Sequence, residues 1–191
     1  MPQLIQPVFL PGHLARNAQP VLLNGDLQLR PWLAANATVI EEAFVDPAIV
    51  QWHGRTMNAT EAHAWVLHWE DRWKNESGAG WAITLHGEIV GQVSLRRIDL
   101  SAGSAEISYW ILPSARGRGL AAKALLTLTA WAFETIGIHR LELSHSVDNP
   151  ASCKVAQKCG YLHEGTKRKQ ALHVDGWHDM HLHARLSSDS M

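Results

Sequence analysis

The stretch PSARGRGLA, residues 113–121, lies between two segments with different patterns. Before it, residues 105–112 (AEISYWIL) are rich in β-branched and aromatic residues, which predicts a strand that ends at Pro113. After it, residues 120–136 are rich in Ala and Leu and repeat apolar residues at spacings of three and four, which predicts a helix. The glycines of the stretch therefore lie where a strand turns into a helix.

That position suits an anion, because the first amides of a helix have no partner within the helix and the helix dipole is positive there. Gly117 and Gly119 allow a ligand to approach the backbone closely, and Arg116 and Arg118 add positive charge. A phosphate or pyrophosphate is the expected ligand. A simple turn, in which glycine only relieves strain, explains the two glycines equally well.

Two nucleotide-binding patterns differ in how well they fit this stretch. No Gly-Lys-Ser/Thr follows it, so it is not a Walker loop. Gly117, Gly119 and Ala122 fit the dinucleotide fingerprint loosely, and Glu142 lies about 20 residues further on, where a ribose-binding acid is expected. An enzyme that binds NAD(P) therefore remains an alternative, although little chain follows to build further strand–helix units.

Residues 116–121 (RGRGLA) also contain Arg-x-x-Gly-x-Ala, which resembles the pyrophosphate-binding motif of the GNAT superfamily of acetyl-CoA-dependent N-acetyltransferases. Residues 109–113 (YWILP) resemble the central strand of that superfamily, and residues 147–165 resemble the downstream block of its branch that acetylates the N-termini of ribosomal proteins. The resemblance runs from about residue 25 to residue 186. It implies an α/β fold with a mixed, mostly antiparallel sheet of about seven strands, a splayed central strand and about four helices.

The resemblance implies transfer of acetyl from acetyl-CoA to a primary amine by direct attack in a ternary complex, with a protein N-terminus as the first-choice acceptor. A small-molecule amine, such as an antibiotic or a polyamine, is the alternative acceptor, and a non-catalytic acetyl-CoA sensor is the alternative without turnover. Backbone groups near the end of the central strand are implied to hold the pantetheine arm and the acetyl carbonyl. The expected cofactor-binding residues are Trp110, Ile111, Leu112, Arg116, Gly117, Arg118, Gly119, Leu120, Ala121, Asn149 and Ser152.

Two side chains are expected to carry the proton transfers. Glu106, on the central strand, is the expected general base, although an ion pair or a solvated position explains it equally well. His53 is the alternative base, because residues 169–172 (KQAL) lack the glutamate that some relatives carry there. Ser152 is the expected general acid for the leaving thiolate. Its hydroxyl, like the Asn149 side chain, could instead serve only the start of a helix.

Tryptophan is unusually frequent near the expected acceptor side. Trp52 and His53 are expected to contact the acceptor from a loop between the first two predicted helices, although a packed aromatic and a solvated histidine explain them equally well. Trp65, Trp69 and Trp73 recur every four residues and form one stripe of the second helix. That stripe is either core packing or an aromatic wall of the acceptor site.

No metal site is expected from the sequence. His178, His181 and His183 are close together, and the last two would share one face of a strand. There is, however, no carboxylate-and-histidine motif at a helical spacing and no CxxC pattern. Cys153 and Cys159 would point in different directions from the helix predicted over residues 150–158, so no disulfide is expected.

Length and charge narrow the class of protein. The 191 residues favour one domain, with residues 1–24 as an N-terminal extension that lies along the domain or is partly mobile, and residues 25–191 as the acetyltransferase domain. Lys and Arg number 17 and Asp and Glu 18, which indicates no nucleic acid or anionic membrane as partner. No apolar run approaches the ~18 residues of a membrane span, and no signal peptide is recognised, so a cytoplasmic enzyme is expected. Paired edge strands or helices could make a homodimer.

Overall fold

The structure is a computed structural model that describes residues 5–189. Within those residues, one sheet of eight strands is accompanied by five α-helices. The strands are β1 (Leu22–Asn24), β2 (Leu27–Pro31), β3 (Gly78–Leu85), β4 (Glu88–Asp99), β5 (Ser104–Ile111), β6 (Arg140–Ser146), β7 (Leu162–His173) and β8 (Gly176–Leu186). The helices are α1 (Ala37–Ala43), α2 (Pro47–His53), α3 (Ala59–Lys74), α4 (Leu120–Trp131) and α5 (Pro150–Lys158). The expected α/β architecture is confirmed, with β1 and α2 as additional elements. In the described part of the chain, no helix has both the length and the apolar character needed to cross a membrane.

The strands follow the order β1-β2-β3-β4-β5-β6-β8-β7, and neighbours are antiparallel except for β5 and β6. α4 crosses over between these two parallel strands. They pair from Ser104 and Arg140 to Ile107 and Leu143, and then separate although both strands continue. The splayed central strand is therefore confirmed. Residues 108–111 pair with β4 alone, which leaves their other backbone edge free within the sheet.

Helices cover both faces of β5. Alternate residues of a strand point to opposite faces, so the side chains of β5 enter two different cores. On the first face, Leu125 and Leu128 of α4 belong to the same buried core as Ile107. On the second face, Trp110 shares a smaller core with Trp69 of α3 and with apolar residues of α1 and α2. The central strand is thus held from both sides.

The tryptophan stripe of α3 packs into these cores. Trp69 and Trp73 are buried, and the half-buried Trp65 packs edge-on against Trp32. Trp73 packs in the same way against the fully buried Trp81 of β3. Core packing is therefore the observed role of the stripe, and none of its three members lines the two cavities described below.

Helix α2 corrects one expectation, because Trp52 and His53 lie in its last turn and not in a loop. The Asp46 side chain accepts a hydrogen bond from the Ile49 amide at 3.0 Å and caps the helix. Pro47 occupies the first turn, where its missing N–H has no intrahelical partner to lose. The expectation of a loop was wrong because an Asp-Pro pair can begin a helix as well as end one.

The segment before β1 lies along the domain. The amides of Val8 and Phe9 donate to the carbonyls of Ser101 and Leu100, both at 3.0 Å, and Leu14 is buried in the larger core. β1 then pairs with β2, so the sheet begins before residue 25. The division of the chain at residue 24 stays a prediction.

A buried carboxylate holds that segment in place. Glu76 accepts hydrogen bonds from the amides of Gly12 and Leu14, both at 2.5 Å, and of Ala15 at 3.2 Å. Burial acts to raise the pKa of Glu76, but the three amides outweigh burial and hold this pKa below its ordinary value. Glu76 therefore connects the end of α3 to the N-terminal segment.

Candidate active site

The turn before α4 is open to a ligand. Gly117 and Gly119 have φ angles of 75° and 73°, in the left-handed region that favours glycine. A Cβ added at either glycine would meet no described atom within 4 Å. No described side chain caps the N-terminus of α4 by a hydrogen bond. Its first amides are therefore available to an anion.

The Arg116 side chain braces this turn. Its Nη2 donates to Asp46 Oδ1 at 2.5 Å, and its Nε donates to the Ile111 carbonyl at 3.0 Å. The guanidinium holds the pKa of Asp46 below its ordinary value through that hydrogen bond. Arg116 thus connects the turn to the start of α2 and to the end of β5, whereas Arg118 is exposed.

The same turn forms one wall of a cavity of about 470 Å³, called the cofactor cavity below. Its other walls are α2, the end of β5 and α5. Most of the expected cofactor-binding residues line it, namely Trp110, Ile111, Arg116, Gly117, Gly119, Leu120, Ala121, Asn149 and Ser152. Leu112 and Arg118 are not among the lining residues, and the Leu112 amide donates to the Val90 carbonyl at 2.9 Å. Lys154 and Lys158 also line the cavity. These two lysines were not predicted from the sequence, although their spacing of four on a predicted helix could have indicated one basic face.

A second cavity, of about 330 Å³, lies where β5 and β6 separate and is called the acceptor cavity below. Residues of β4, β5, β6 and the β7–β8 hairpin line it. Its charged lining residues are Arg96, Arg97, Glu106, Glu142 and Lys167.

Five residues line both cavities, and they form the junction between the two. They are Trp52, His53, Tyr109, Asn149 and Ser152. Four of these five were expected site residues, although they come from α2 and α5, far apart in sequence. Tyr109 is the addition, because the sequence placed it only within the central-strand motif. A group bound in one cavity would meet a group bound in the other at this junction.

Two hydroxyls face each other at the junction. The Tyr109 and Ser152 hydroxyl oxygens are 2.8 Å apart, which is hydrogen-bond distance. Burial raises the pKa of Tyr109 to about 12, so Tyr109 keeps its proton at neutral pH. Asn149 Oδ1 accepts a hydrogen bond from the Ser152 amide at 3.0 Å. Asn149 is therefore the N-cap of α5 and fixes the turn that carries Ser152.

The two expected bases have different surroundings. The Glu106 carboxylate pairs with Arg97 Nη1 at 2.8 Å, and its side chain is 19% exposed on the wall of the acceptor cavity. The ion pair considered for Glu106 is thus present. Burial lowers the pKa of His53 to about 4, with smaller contributions from nearby arginines, so His53 is neutral at physiological pH. His53 lies at the junction, whereas Glu106 lies in the acceptor cavity.

Residues 26–162 match the family described as acetyltransferase (GNAT) domain. This match covers more than half of the chain, and the chain belongs to that family. The family uses acetyl-CoA. The unpaired amides at the start of α4, on one wall of the cofactor cavity, suit the phosphates of that cofactor. The alternative of an NAD(P)-dependent enzyme finds no support.

Two curated relatives match part of their length. YdaF of Bacillus subtilis (strain 168), a candidate ribosomal N-acetyltransferase, is 31% identical over 113 residues, which are 59% of this chain and 61% of that protein. The ribosomal-protein-serine acetyltransferase of Escherichia coli (strain K12) is 32% identical over 99 residues, which are 52% of this chain and 55% of that protein. The chain thus matches between half and two thirds of the length of these relatives.

A solved structure shows the same fold. RimL, a ribosomal L7/L12 alpha-N-protein acetyltransferase in complex with coenzyme A, superposes with a TM-score of 0.81 at 21% sequence identity. The superposition covers 89% of this chain and 100% of that chain.

Proposed function

We propose that this chain transfers the acetyl group of acetyl-CoA to the N-terminal amine of a protein, by direct attack in a ternary complex. The observation that carries the proposal is the junction at which the cofactor cavity and the acceptor cavity meet. An acetyl donor and an amine bound at the same time would come together beside one pair of hydroxyls, those of Tyr109 and Ser152.

The residues of the cofactor cavity fit acetyl-CoA, which supplies an acetyl thioester when bound. The free amides at the start of α4, with Lys154 and Lys158 on the wall that α5 forms, would hold its phosphates. The free backbone edge of residues 108–111 would hold the pantetheine arm by hydrogen bonds, as a sheet edge holds an added strand.

The junction and the acceptor cavity supply the groups for proton transfer. Ser152 would donate its hydroxyl proton to the leaving thiolate and regain one from the Tyr109 hydroxyl, 2.8 Å away, and solvent in the acceptor cavity would then reprotonate Tyr109. Glu106, which pairs with Arg97, would take the proton of the amine through water, with His53 as the alternative base.

The charges of the acceptor cavity favour a protein N-terminus over a polyamine. Arg96, Arg97 and Lys167 outnumber Glu106 and Glu142 in its lining, so a ligand with several positive charges would be repelled. A protein N-terminus brings only one amine, which is uncharged once it has lost its proton for the attack. A polyamine would still carry the positive charges of its other amines. The names of the two curated relatives, both of ribosomal acetyltransferases, support the same choice.

An uncharged aromatic amine is the second candidate acceptor. Trp52 lines the junction and lies with its ring centroid 5.8 Å from that of His173, which lines the acceptor cavity. An aromatic ring could stack on this pair. A sensor without turnover is the remaining alternative.

Release of thiol from acetyl-CoA by the purified protein tests these proposals. One set of acceptors holds short peptides with free N-termini, and the other holds aromatic amines, aminoglycosides and polyamines. Release with peptides alone supports the proposal, and release with small amines alone overturns it in favour of a small-molecule acetyltransferase. Binding of acetyl-CoA without release in either set favours the sensor.

The proposed reaction also suggests where in the cell the protein acts. Acetyl-CoA and newly made ribosomal proteins occur together in the cytoplasm, so the reaction is proposed to take place there.

Most residues of the edge strand β7 are exposed. Two copies could pair along this edge, and the homodimer stays a prediction.

A further inference from the structure

A second group of reactive side chains lies beneath α5, outside the junction. It consists of His145 on β6, His181 and His183 on β8, and Cys153 on α5, and is called the His-Cys cluster below. One nitrogen of each histidine and the Cys153 sulfur lie within 4.8 Å of one another. The pairing of β6 with β8 explains this proximity, because His145 lies opposite His181 and His183 lies two residues further along the same face.

Two histidines of the cluster are buried and oriented by hydrogen bonds, whereas His181 is half-buried. His145 is 5% exposed and His183 is fully buried. Nδ1 of His145 lies 2.8 Å from the Ser146 carbonyl, and Nδ1 of His183 lies 3.2 Å from the Tyr161 carbonyl. Because a carbonyl can only accept, each Nδ1 carries the proton and donates it, which leaves a lone pair on each Nε2.

The remaining nitrogens have no partner. Nε2 of His145, Nε2 of His183 and Nδ1 of His181 are buried without a hydrogen bond to any described residue. Buried polar atoms are rarely left unpaired, since each one costs free energy. These three atoms lie beside a free cysteine, so a bound ion would give each of them a partner.

We propose that the His-Cys cluster binds one transition-metal ion, of which Zn²⁺ is the best fit. Imidazole and thiolate ligands select zinc and its neighbours over Mg²⁺ or Ca²⁺. Tetrahedral zinc places such ligand atoms about 3.3–3.6 Å apart, so the cluster contracts by roughly 1 Å on binding. The carbonyls of Ser146 and Tyr161 already orient two of the rings, as outer hydrogen bonds do at zinc sites. Cys153 binds as the thiolate and releases its proton to solvent.

Four protein ligands complete a tetrahedral shell, so the ion has a structural role and not a catalytic one. It ties α5 to β6 and β8, and α5 carries Ser152 next to the ligand Cys153. His145 also lines the acceptor cavity, which provides a route for the ion to enter.

The fold explains why the sequence predicts no metal site. The ligands come from two strands and a helix that are separated in the chain, so no short motif contains them. His178, which is close to His181 in sequence, lies outside the cluster. Its Nδ1 is 2.7 Å from Ser146 Oγ and its Nε2 is 2.8 Å from Asp175 Oδ1, so both nitrogens are engaged.

Titration of the metal-free full-length protein with Zn²⁺ and with Co²⁺ tests the site. We expect one ion per chain, and for Co²⁺ the charge-transfer absorption of a thiolate ligand. Cys153→Ser should abolish that absorption and weaken Zn²⁺ binding by roughly 100-fold, and His181→Asn should weaken binding similarly. His68→Gln, on the exposed side of α3, removes a histidine elsewhere and should change neither result.

Thermal unfolding provides a second measurement that does not depend on acetyl transfer. A Zn²⁺ concentration that just saturates the wild type should raise its melting temperature by several degrees and raise that of Cys153→Ser much less. Cys153 is half-buried and serine is nearly the same size, so Cys153→Ser decides the question even where His181→Asn does not fold. Absence of Zn²⁺ binding, or equal binding by Cys153→Ser and the wild type, would overturn the proposal.

Discussion

The hydroxyl oxygens of Tyr109 and Ser152 lie 2.8 Å apart, and this contact joins the central strand β5 to the first turn of α5. β5 and β6 pair only as far as Ile107 and Leu143, so they have already separated at Tyr109, where the two cavities meet. The contact is therefore the point at which the cofactor cavity, the acceptor cavity and the cap of α5 come together. Burial raises the pKa of Tyr109 to about 12, so its hydroxyl loses a proton less readily than that of a solvated tyrosine.

Ser152→Ala is expected to lower kcat by on the order of 10²-fold and to leave the affinity for acetyl-CoA nearly unchanged, because it removes a proton donor and no phosphate contact. Tyr109→Phe should lower kcat in the same direction but less. Steady-state kinetics and acetyl-CoA titration measure the two quantities. Ser101→Ala, on an exposed loop, is the control. An unchanged kcat for Ser152→Ala would exclude Ser152 as the acid.

Gly119→Ala is expected to weaken acetyl-CoA binding by about tenfold or more, because it strains a positive φ and puts a methyl group where phosphate would approach. Gly87→Ala is the matched control. Gly87 has a φ of 89° and equally open surroundings, but it lies in the turn between β3 and β4. Isothermal titration should show normal binding for the control. Equal affinities of the two variants would contradict the placement of the phosphates at this turn.

Glu106→Gln is expected to lower the plateau of the pH–rate profile and to flatten its dependence on pH, because glutamine cannot accept the amine proton. Glu88→Gln, which removes an exposed carboxylate from the first residue of β4, should leave the profile unchanged. The measurement is kcat/KM for the acceptor over a range of pH. If Glu106→Gln keeps the wild-type profile, His53 becomes the candidate base.

His53 is expected to titrate with a midpoint near 4, because burial opposes its charged form. The unfolded chain, with a histidine pKa of about 6.5, then binds this proton first, so stability is complete above about pH 6.5 and falls as the pH drops towards 4. NMR titration of the histidine signals measures the midpoint, and His53→Gln assigns the signal. A midpoint near the ordinary value would show that His53 is solvated.

Glu76→Gln is expected to lower the free energy of unfolding by about 1–3 kcal/mol, because three backbone amides lose a charged acceptor. The folded-state pKa of Glu76 lies below its unfolded value, so its contribution is present above about pH 4.5 and is lost as the pH falls. Urea unfolding at neutral and acidic pH measures both effects. Glu70→Gln alters an exposed pair with Lys74 and should change stability by less than about 0.5 kcal/mol.

Several elements could be predicted from local pattern alone. Apolar periodicity predicted α4, the pattern of residues 105–112 predicted the central strand β5, and Asn149 was recognised as a residue that could begin α5. β1 was missed because three residues carry no periodicity. α2 was missed because an Asp-Pro pair can either end one helix or begin the next. Here tertiary packing decides that it begins α2, since Ile49 is buried and Arg116 donates a hydrogen bond to Asp46.

The sequence by itself determined the turn at Gly117 and Gly119 that is proposed to bind an anion, because helix amides, left-handed glycines and neighbouring charge are properties of adjacent residues. Tertiary structure alone decided which side chains meet. The separation of β5 from β6 placed Tyr109 beside Ser152, and the register of β6 with β8 placed His145 beside His181. These contacts depend on strand register and helix packing between distant segments, and no local pattern of residues encodes such distances.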